Sequence, residues 1–156
     1  MPIAETRGTK PTSEQAIERL EQHLGVTLPA DYRAFLLRTN GGAPFPEDAY
    51  RHARYSTILS MFYAVEHERK SFTIAQNRLT FDARIPADLL AIADDLGSDR
   101  ICIGIGDDNY GKVYMWVQVD ESGPHETPDY RNVGLIAESF DEFLNLFYNS
   151  DEEEPG

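Results

Sequence analysis

The sequence predicts a single α+β domain, and three observations support that fold class. Its 156 residues fit one domain, and 41% of them are hydrophobic, as in an ordinary globular protein. Apolar residues recur at helical spacing near the start and near the end of the chain. Between these helices, residues 101–105 and 112–119 have strand patterns and are joined by a short, turn-rich connection, which predicts an antiparallel pair.

The clearest element is a helix whose start and stop both lie within residues 28–42. Pro29 suits the first turn, where its missing N–H breaks no bond, and Asp31 lies near the positive end of the helix dipole. Asn40-Gly41-Gly42 predicts the stop, because glycine adopts the left-handed conformation at low cost. We interpret the helix as scaffold, since one of its faces is apolar. That face carries Tyr32, Phe35, Leu36 and Thr39.

Another helix precedes it, with Thr12 as the predicted N-cap and Gly25 as the predicted stop. Its stripe comprises Ala16, Ile17, Leu20, His23 and Leu24. Only residues 26–28 join the two helices, so we expect them to pack against each other as a hairpin or corner.

The middle of the chain carries mixed signals. Residues 43–57 lack clear periodicity and are expected to form an excursion loop, whereas residues 58–63 are a compact apolar run that suits a first strand. Ser71 is predicted to cap a short helix, although the surrounding residues are also compatible with a strand. Residues 85–88 echo the start of the clearest helix, so residues 89–93 are predicted to make a brief helical turn.

The two predicted strands differ in their faces. Residues 101–105 alternate, with isoleucines on one face and only Cys102 and Gly104 on the other. Such a small-residue face lets a helix or loop pack close, and it predicts that Cys102 is a buried, inert thiol. Residues 112–119 are apolar on both faces, which is typical of a central strand, and Trp116 is expected in the core.

The last part of the chain is predicted to contain one more helix, followed by an acidic tail. Residues 132–137 supply a short strand or extended arm, and Ser139 opens a capping box. We therefore place the domain at residues 12–149, between a flexible N-terminal segment, residues 1–11, and a disordered acidic tail, residues 150–156. The stripe of this last helix comprises Phe140, Phe143, Leu144 and Phe147.

The net charge of −13 is distributed unevenly. Residues 1–85 hold ten acidic and eleven basic side chains, whereas residues 86–156 hold seventeen acidic and three basic ones. An acidic surface repels the phosphate backbone of nucleic acids and attracts basic proteins, although solubility is a simpler reason for acidity. No apolar run approaches the ~20 residues of a membrane span, so we expect no membrane partner.

The sequence offers no cofactor, metal or catalytic set. Residues 104–109 begin like a dinucleotide loop, but a strand is predicted where the helix N-terminus for pyrophosphate is needed. Asp107, Asp108 and Asn109 lack the spacing of a calcium loop, which leaves open whether they bind a cation. A single cysteine excludes an internal disulfide and a multi-cysteine zinc site. Together with the lack of a signal-peptide pattern at the N-terminus, the single cysteine predicts a cytoplasmic protein.

The order of these motifs resembles the SUKH superfamily, which includes the Smi–Knr cell-wall regulators. The resemblance covers about residues 13–148, and Val117 departs from it, because the family often has an aspartate after the tryptophan. The matching motifs are Leu24-Gly25, Leu28-Pro29-Ala30-Asp31-Tyr32, Phe35-Leu36, Asn40-Gly41-Gly42, Ile85-Pro86, Ile92-Ala93-Asp94, Gly97, Gly111-Lys112-Val113-Tyr114-Met115-Trp116, Ile136-Ala137-Glu138-Ser139-Phe140 and Phe143-Leu144.

The resemblance implies an α+β domain with several helices against a mostly antiparallel sheet. It also implies that a bacterial member is an immunity protein, which binds a toxin that is often a nuclease, whereas fungal members are regulatory scaffolds. Neither role includes catalysis. The matched residues look architectural, so the resemblance supplies no catalytic residue for this chain.

Our leading hypothesis is a non-catalytic immunity protein that neutralises a basic toxin of a bacterial polymorphic toxin system through the acidic second half. The alternative is a regulatory or scaffold domain of the Smi–Knr type that binds a cellular protein, with acidity serving solubility. The predicted partner-binding residues flank predicted strands and are expected to be exposed in loops. They are Asp94, Asp95, Asp107, Asp108, Asp120 and Glu121.

Overall fold

Antiparallel pairing organises the structure, a computed structural model that describes residues 3–152. Within these residues the strands are β1 (Glu5–Arg7), β2 (Ala43–Phe45), β3 (Ala49–Tyr50), β4 (Thr57–Phe62), β5 (Leu89–Asp95), β6 (Arg100–Gly104), β7 (Val113–Trp116), β8 (Val133–Ala137) and β9 (Phe147–Tyr148). The helices are α1 (Glu14–Leu24), α2 (Ala30–Thr39), α3 (Ile74–Thr80) and α4 (Phe140–Leu144). Short 3₁₀ turns span Lys70–Phe72 and Gln118–Asp120.

Seven of the strands form one sheet in the order β8-β7-β6-β5-β4-β3-β9, and β1 pairs separately with β2. Every pair is antiparallel. The predicted pairing of residues 101–105 with residues 112–119 is confirmed as the β6–β7 ladder. Helices α1, α2 and α4 pack with one another at the sheet, so the predicted α+β class is also confirmed.

Phe140 lies at the centre of an aromatic cluster that joins these helices to the sheet. Its ring centroid lies 5.1 Å from that of Tyr32, 5.0 Å from that of Phe35 and 6.0 Å from that of Phe62. Such edge-on pairs each add about 0.5–1.5 kcal/mol beyond the area they bury. The predicted apolar face of α2 therefore packs in the core, since Tyr32 and Phe35 lie in this cluster and Leu36 is also buried.

The helix caps differ in two places from the prediction. Helix α3 is capped by Thr73 rather than by Ser71, and the Thr73 hydroxyl accepts from the Gln76 amide at 3.2 Å. Ser13, rather than Thr12, is the N-cap of α1, and its hydroxyl accepts a hydrogen bond from the Ala16 amide at 3.1 Å. Ser139 caps α4 as predicted, accepting from the Glu142 amide at 3.1 Å. Helix α4 ends at Leu144, so the last residue of its predicted stripe, Phe147, lies in β9 instead.

Residues 89–93 form most of strand β5, so the predicted helical turn is wrong. Strand β5 lies inside the sheet between β4 and β6, and residues 89–93 are all buried. A strand covered on both faces is apolar throughout, and a short apolar run of this kind cannot be told from a buried helical turn by periodicity.

Two predicted irregular segments also contain strands. The predicted loop, residues 43–57, includes β2 and β3, which are too short to show a pattern of period two. Within the predicted flexible segment, residues 1–11, the structure contains β1 and the buried Ile3, and residues 1 and 2 lie outside the described residues. Ser150, which begins the predicted tail, donates from its amide and its hydroxyl to the Asp48 carboxylate at 3.1 and 3.0 Å; residues 153–156 lie outside the described residues.

Candidate protein-binding surface

The antiparallel topology separates the six predicted binding residues into two groups. Asp107 and Asp108 lie in the connection between β6 and β7, at one end of the sheet. The other four residues lie at the opposite end, because they close β5 or follow β7. They are Asp94, Asp95, Asp120 and Glu121. The six residues therefore do not form one patch.

Asp94 and Asp95 belong to strand β5, so the expected loop exposure of these two residues is wrong. Asp95 is buried, and its Oδ1 accepts from the amides of Gly97 and Asp99 at 2.8 and 3.1 Å. Asp94 accepts from the Tyr63 hydroxyl at 3.2 Å. Burial raises the pKa of both carboxyl groups. Both carboxylates accept hydrogen bonds within the protein, so they are not free at the surface.

Asp120 and Glu121 have different surroundings although they are adjacent. Asp120 is exposed at the end of a 3₁₀ turn, as expected. The Glu121 carboxylate lies 3.0 and 3.2 Å from two guanidinium nitrogens of Arg84, in a bidentate pair. Glu121 is thus already paired with a residue of the same chain, Arg84.

Asp107 and Asp108 are both exposed, and within residues 3–152 neither carboxylate makes an ion pair or a hydrogen bond. They lie in the segment of residues 105–111, which we call the acidic loop. Strand β7 follows this loop, as predicted, so no helix N-terminus is present for a dinucleotide. Each of the two charges is therefore available to a partner.

The acidic loop is fixed from inside by Asn109, which is buried. The Asn109 Oδ1 atom accepts from the Gly106 amide at 2.9 Å, and its Nδ2 atom donates to the Asp88 carbonyl and the Tyr130 hydroxyl at 3.1 and 2.8 Å. The Tyr130 hydroxyl in turn donates to the Asp88 carboxylate at 2.9 Å. The network holds the loop in one shape and turns the Asn109 amide away from Asp107 and Asp108.

Tyr110 connects the acidic loop to the turn between α1 and α2. Its hydroxyl donates to the Thr27 carbonyl at 2.6 Å, while its side chain stays 48% exposed. Partial burial raises the pKa of the Tyr110 hydroxyl, and the carboxylates of Glu21 and Asp31 raise it further. The ring thus lies at the surface, close to acids from two other elements.

Acidic side chains from several elements meet around this loop, and we call this region the acidic end. Asp31 of α2 accepts from the Asp141 amide of α4 at 3.0 Å, which brings the starts of both helices together there. Two basic residues, Arg33 and Lys112, lie among the acids and pair with Glu21 and Glu138 at 3.2 and 3.6 Å. The acidic residues are Glu21, Asp31, Asp88, Asp107, Asp108, Glu138, Asp141 and Glu142.

Sequence reasoning missed a cavity of about 280 Å³ between α3 and β5. Phe81, Ala91 and Pro128 contribute to its walls, so it is largely apolar. Arg78 also lines it, but its guanidinium donates to the carbonyls of Leu89 and Ala87, at 2.9 Å each. These two hydrogen bonds join α3 to the start of β5, so Arg78 has a structural role.

Cys102 and Trp116, the two residues predicted to lie in the core, are buried. Trp116 and Cys102 are fully enclosed in the core, and burial raises the pKa of the Cys102 thiol to about 12. No group of three or more His, Cys, Asp or Glu side chains within residues 3–152 is placed to hold a metal ion. Over the same range, no helix has the length and apolarity to cross a membrane.

The structure is an α+β domain with exposed acidic side chains around a loop that Asn109 holds from inside. The chain belongs to the SMI1 / KNR4 family (SUKH-1), whose model matches residues 11–146. This match confirms the SUKH resemblance. The chain is also similar to the SPbeta prophage-derived uncharacterized protein YokK of Bacillus subtilis (strain 168), with 30% identity in an alignment that covers 85% of this chain and 72% of that relative. Members of the family are generally non-catalytic immunity domains of toxin systems.

Proposed function

We propose that this chain is a non-catalytic, cytoplasmic immunity protein that binds a basic toxin domain through its acidic end and blocks it. The observation that carries the proposal is the pair of exposed, unpaired carboxylates of Asp107 and Asp108 on a fixed loop. Membership of the SMI1 / KNR4 family supports the immunity role, and the uneven charge supports a basic partner.

Binding of a basic partner is favoured at the acidic end because several negative charges lie close together there. A cation placed about 4 Å from one carboxylate gains roughly 1 kcal/mol in water and roughly 4 kcal/mol at an effective dielectric constant of 20. An interface that excludes water therefore strengthens each such contact. At longer range, the same field steers a basic protein to this end and raises its association rate.

The shape of the loop adds to the electrostatic argument. A partner does not have to order a loop that Asn109 already holds, so less conformational entropy is lost on binding. Tyr110 offers an exposed ring among these acids, and tyrosine is one of the residues that most often anchor protein interfaces. We expect the ring of Tyr110 to supply the apolar contact and the aspartates to supply charge.

A double charge reversal tests this placement. The probe is the catalytically inactivated toxin domain encoded beside the gene of this chain, and its affinity is measured by calorimetry. We expect Asp107→Lys together with Asp108→Lys to weaken binding at least tenfold, because two attractive contacts become repulsive. The control is Asp151→Lys together with Glu152→Lys, which changes net charge equally near β9, and we expect its affinity to stay within about threefold.

Two results would contradict parts of the proposal separately. Equal weakening by both double variants would mean that net charge matters and that the acidic end does not. If the neighbouring gene encodes no toxin, or its product does not bind the wild-type chain, the immunity role fails. The regulatory or scaffold role would then be favoured.

A further inference from the structure

The cavity between α3 and β5 has a buried floor and an exposed rim. Phe81, Leu89 and Ala91 form the floor, and all three are buried. Ala87 and Thr127 line the same cavity but are exposed, so it opens at the surface. Its volume of about 280 Å³ lies just below the range of about 300–1,000 Å³ that is typical of small-molecule sites. The cavity therefore has the size for one large side chain.

Contacts within the protein hold the floor of this cavity in place. The ring centroid of Phe81 lies 5.5 Å from that of Trp116, which is in the core. The guanidinium groups of Arg84 and Arg100 each lie 4.8 Å from the Phe81 centroid. The two hydrogen bonds of Arg78 join the α3 side of the cavity to the start of β5. A side chain that enters therefore meets a formed pocket, and no part of the floor has to become ordered.

The cavity and the acidic end share a wall at Asp88. This residue lies between two residues that line the cavity, and its carbonyl accepts from the Ile105 amide and from Asn109 Nδ2 at 2.9 and 3.1 Å. The Asp88 carboxylate accepts from the Tyr130 hydroxyl at 2.9 Å, and Tyr130 lies two residues after Pro128, which also lines the cavity. A partner that contacts the acidic loop therefore reaches the rim of the cavity.

The chemistry of the cavity defines the kind of side chain that fits it. The floor is apolar, and the Nδ2 atom of the neighbouring Asn77 already donates to the carbonyls of Ser71 and Thr73, at 2.9 and 2.8 Å. Asp82 is exposed at the rim, and within residues 3–152 its carboxylate makes no ion pair or hydrogen bond. The floor thus favours an apolar group, while the rim favours a basic group beside it.

We propose that this cavity receives an aromatic or large aliphatic side chain of the basic toxin domain, next to a basic residue of that partner. The proposal rests on the proposed function, because binding at the acidic end brings the partner to the rim. Side chains that fill a preformed pocket carry a large share of the binding energy of an interface. They act mainly on the dissociation rate, whereas exposed charges act mainly on the association rate.

Two variants that close the cavity from opposite sides test the proposal. Ala87→Trp covers the rim, and Ala91→Leu fills the floor without changing the surface, because residue 91 is buried. Surface plasmon resonance with the immobilised, inactivated toxin domain measures both rate constants. We expect each variant to raise the dissociation rate at least about tenfold and to keep the association rate within about threefold of the wild type.

Thermal melting checks that the variants remain folded. Ala87 is exposed, and the cavity gives the larger side chain at residue 91 room to pack, so we expect neither variant to lower the melting temperature. Ala91→Val, a smaller addition at the same place, is the second floor variant. The matched control for the rim is Ala53→Trp, at an exposed alanine of the loop before β4, near the opposite end of the sheet. We expect it to dissociate like the wild type.

The outcomes separate this proposal from the proposed function. Normal dissociation of both cavity variants would overturn the proposal, while the proposed function would stand if the reversal of Asp107 and Asp108 still slows association. Faster dissociation with Ala87→Trp alone would also overturn it, because the partner would then cover the rim without entering the cavity. A toxin domain that does not bind the wild-type chain would contradict the proposed function and this proposal together.

Discussion

Asn40 shows how one buried side chain joins three distant parts of the chain. Its Nδ2 atom donates to the carbonyls of Lys10 and Glu66 at 2.8 and 3.0 Å, and its Oδ1 atom accepts from the Val65 amide at 2.8 Å. It also ends α2 in a left-handed conformation, with φ of 54°. Only this last role could be predicted from the sequence, because the three hydrogen bonds link residues 25 to 30 positions apart.

Replacing Asn40 by glycine should lower the free energy of unfolding by about 3 kcal/mol, since it removes three hydrogen bonds and leaves the buried Val65 amide without its partner. Glycine tolerates the positive φ, so the loss in free energy of unfolding measures the contribution of the hydrogen bonds. The control is Ser98→Gly, at an exposed residue that also has positive φ, and we expect it to change stability by less than about 0.5 kcal/mol. Urea denaturation measures both, and a loss below about 1 kcal/mol for Asn40→Gly would contradict this role.

Strands β5 and β6 show where patterns of whole elements succeed and fail. The alternation of residues 101–105 predicted β6, and its small-residue face does lie against a loop: a Cβ atom on Gly104 would lie 2.0 Å from the Asn109 carbonyl oxygen. Strand β5 was not recoverable in the same way, because its apolar run follows a helix-start motif, residues 85–88, and is equally compatible with a buried helical turn. Burial does not distinguish the two strands, since β6 is also central and its residues 101–104 are buried.

Alanine at Gly104 should push the backbone of the acidic loop outward and cost about 2 kcal/mol of stability or more. The control is Gly97→Ala, just before β6, where a Cβ atom would meet only the Asp95 Oδ1 atom at 3.4 Å. We expect that variant to be nearly neutral. Thermal denaturation of both variants measures the difference, and equal melting temperatures would show that the close approach at Gly104 does not constrain the loop.

At the scale of the whole molecule, the strand order divides the acidic residues of the second half between the two ends of one sheet. The excess of acid in the second half was evident from the sequence, but its placement required the strand order, which puts Asp107 and Asp108 far from Asp120. The contributions of Glu21 and Asp31 to the acidic end were equally hidden, because contacts such as that of Tyr110 with Thr27, which bring α1 and α2 to this end, join residues 83 positions apart. The sequence thus predicts a basic partner, and the topology gives the end of the sheet at which we propose that it binds.

The rate at which this chain associates with the inactivated toxin domain, measured by stopped flow at increasing salt, tests the central claim most directly. We expect the wild-type rate to fall steeply with ionic strength, as it does for steered encounters. Reversal of Asp107 and Asp108 to lysine should remove at least half of that slope, and reversal of Asp151 and Glu152 should remove much less. A wild-type rate that does not respond to salt, or the same slope in both double variants, would contradict the account.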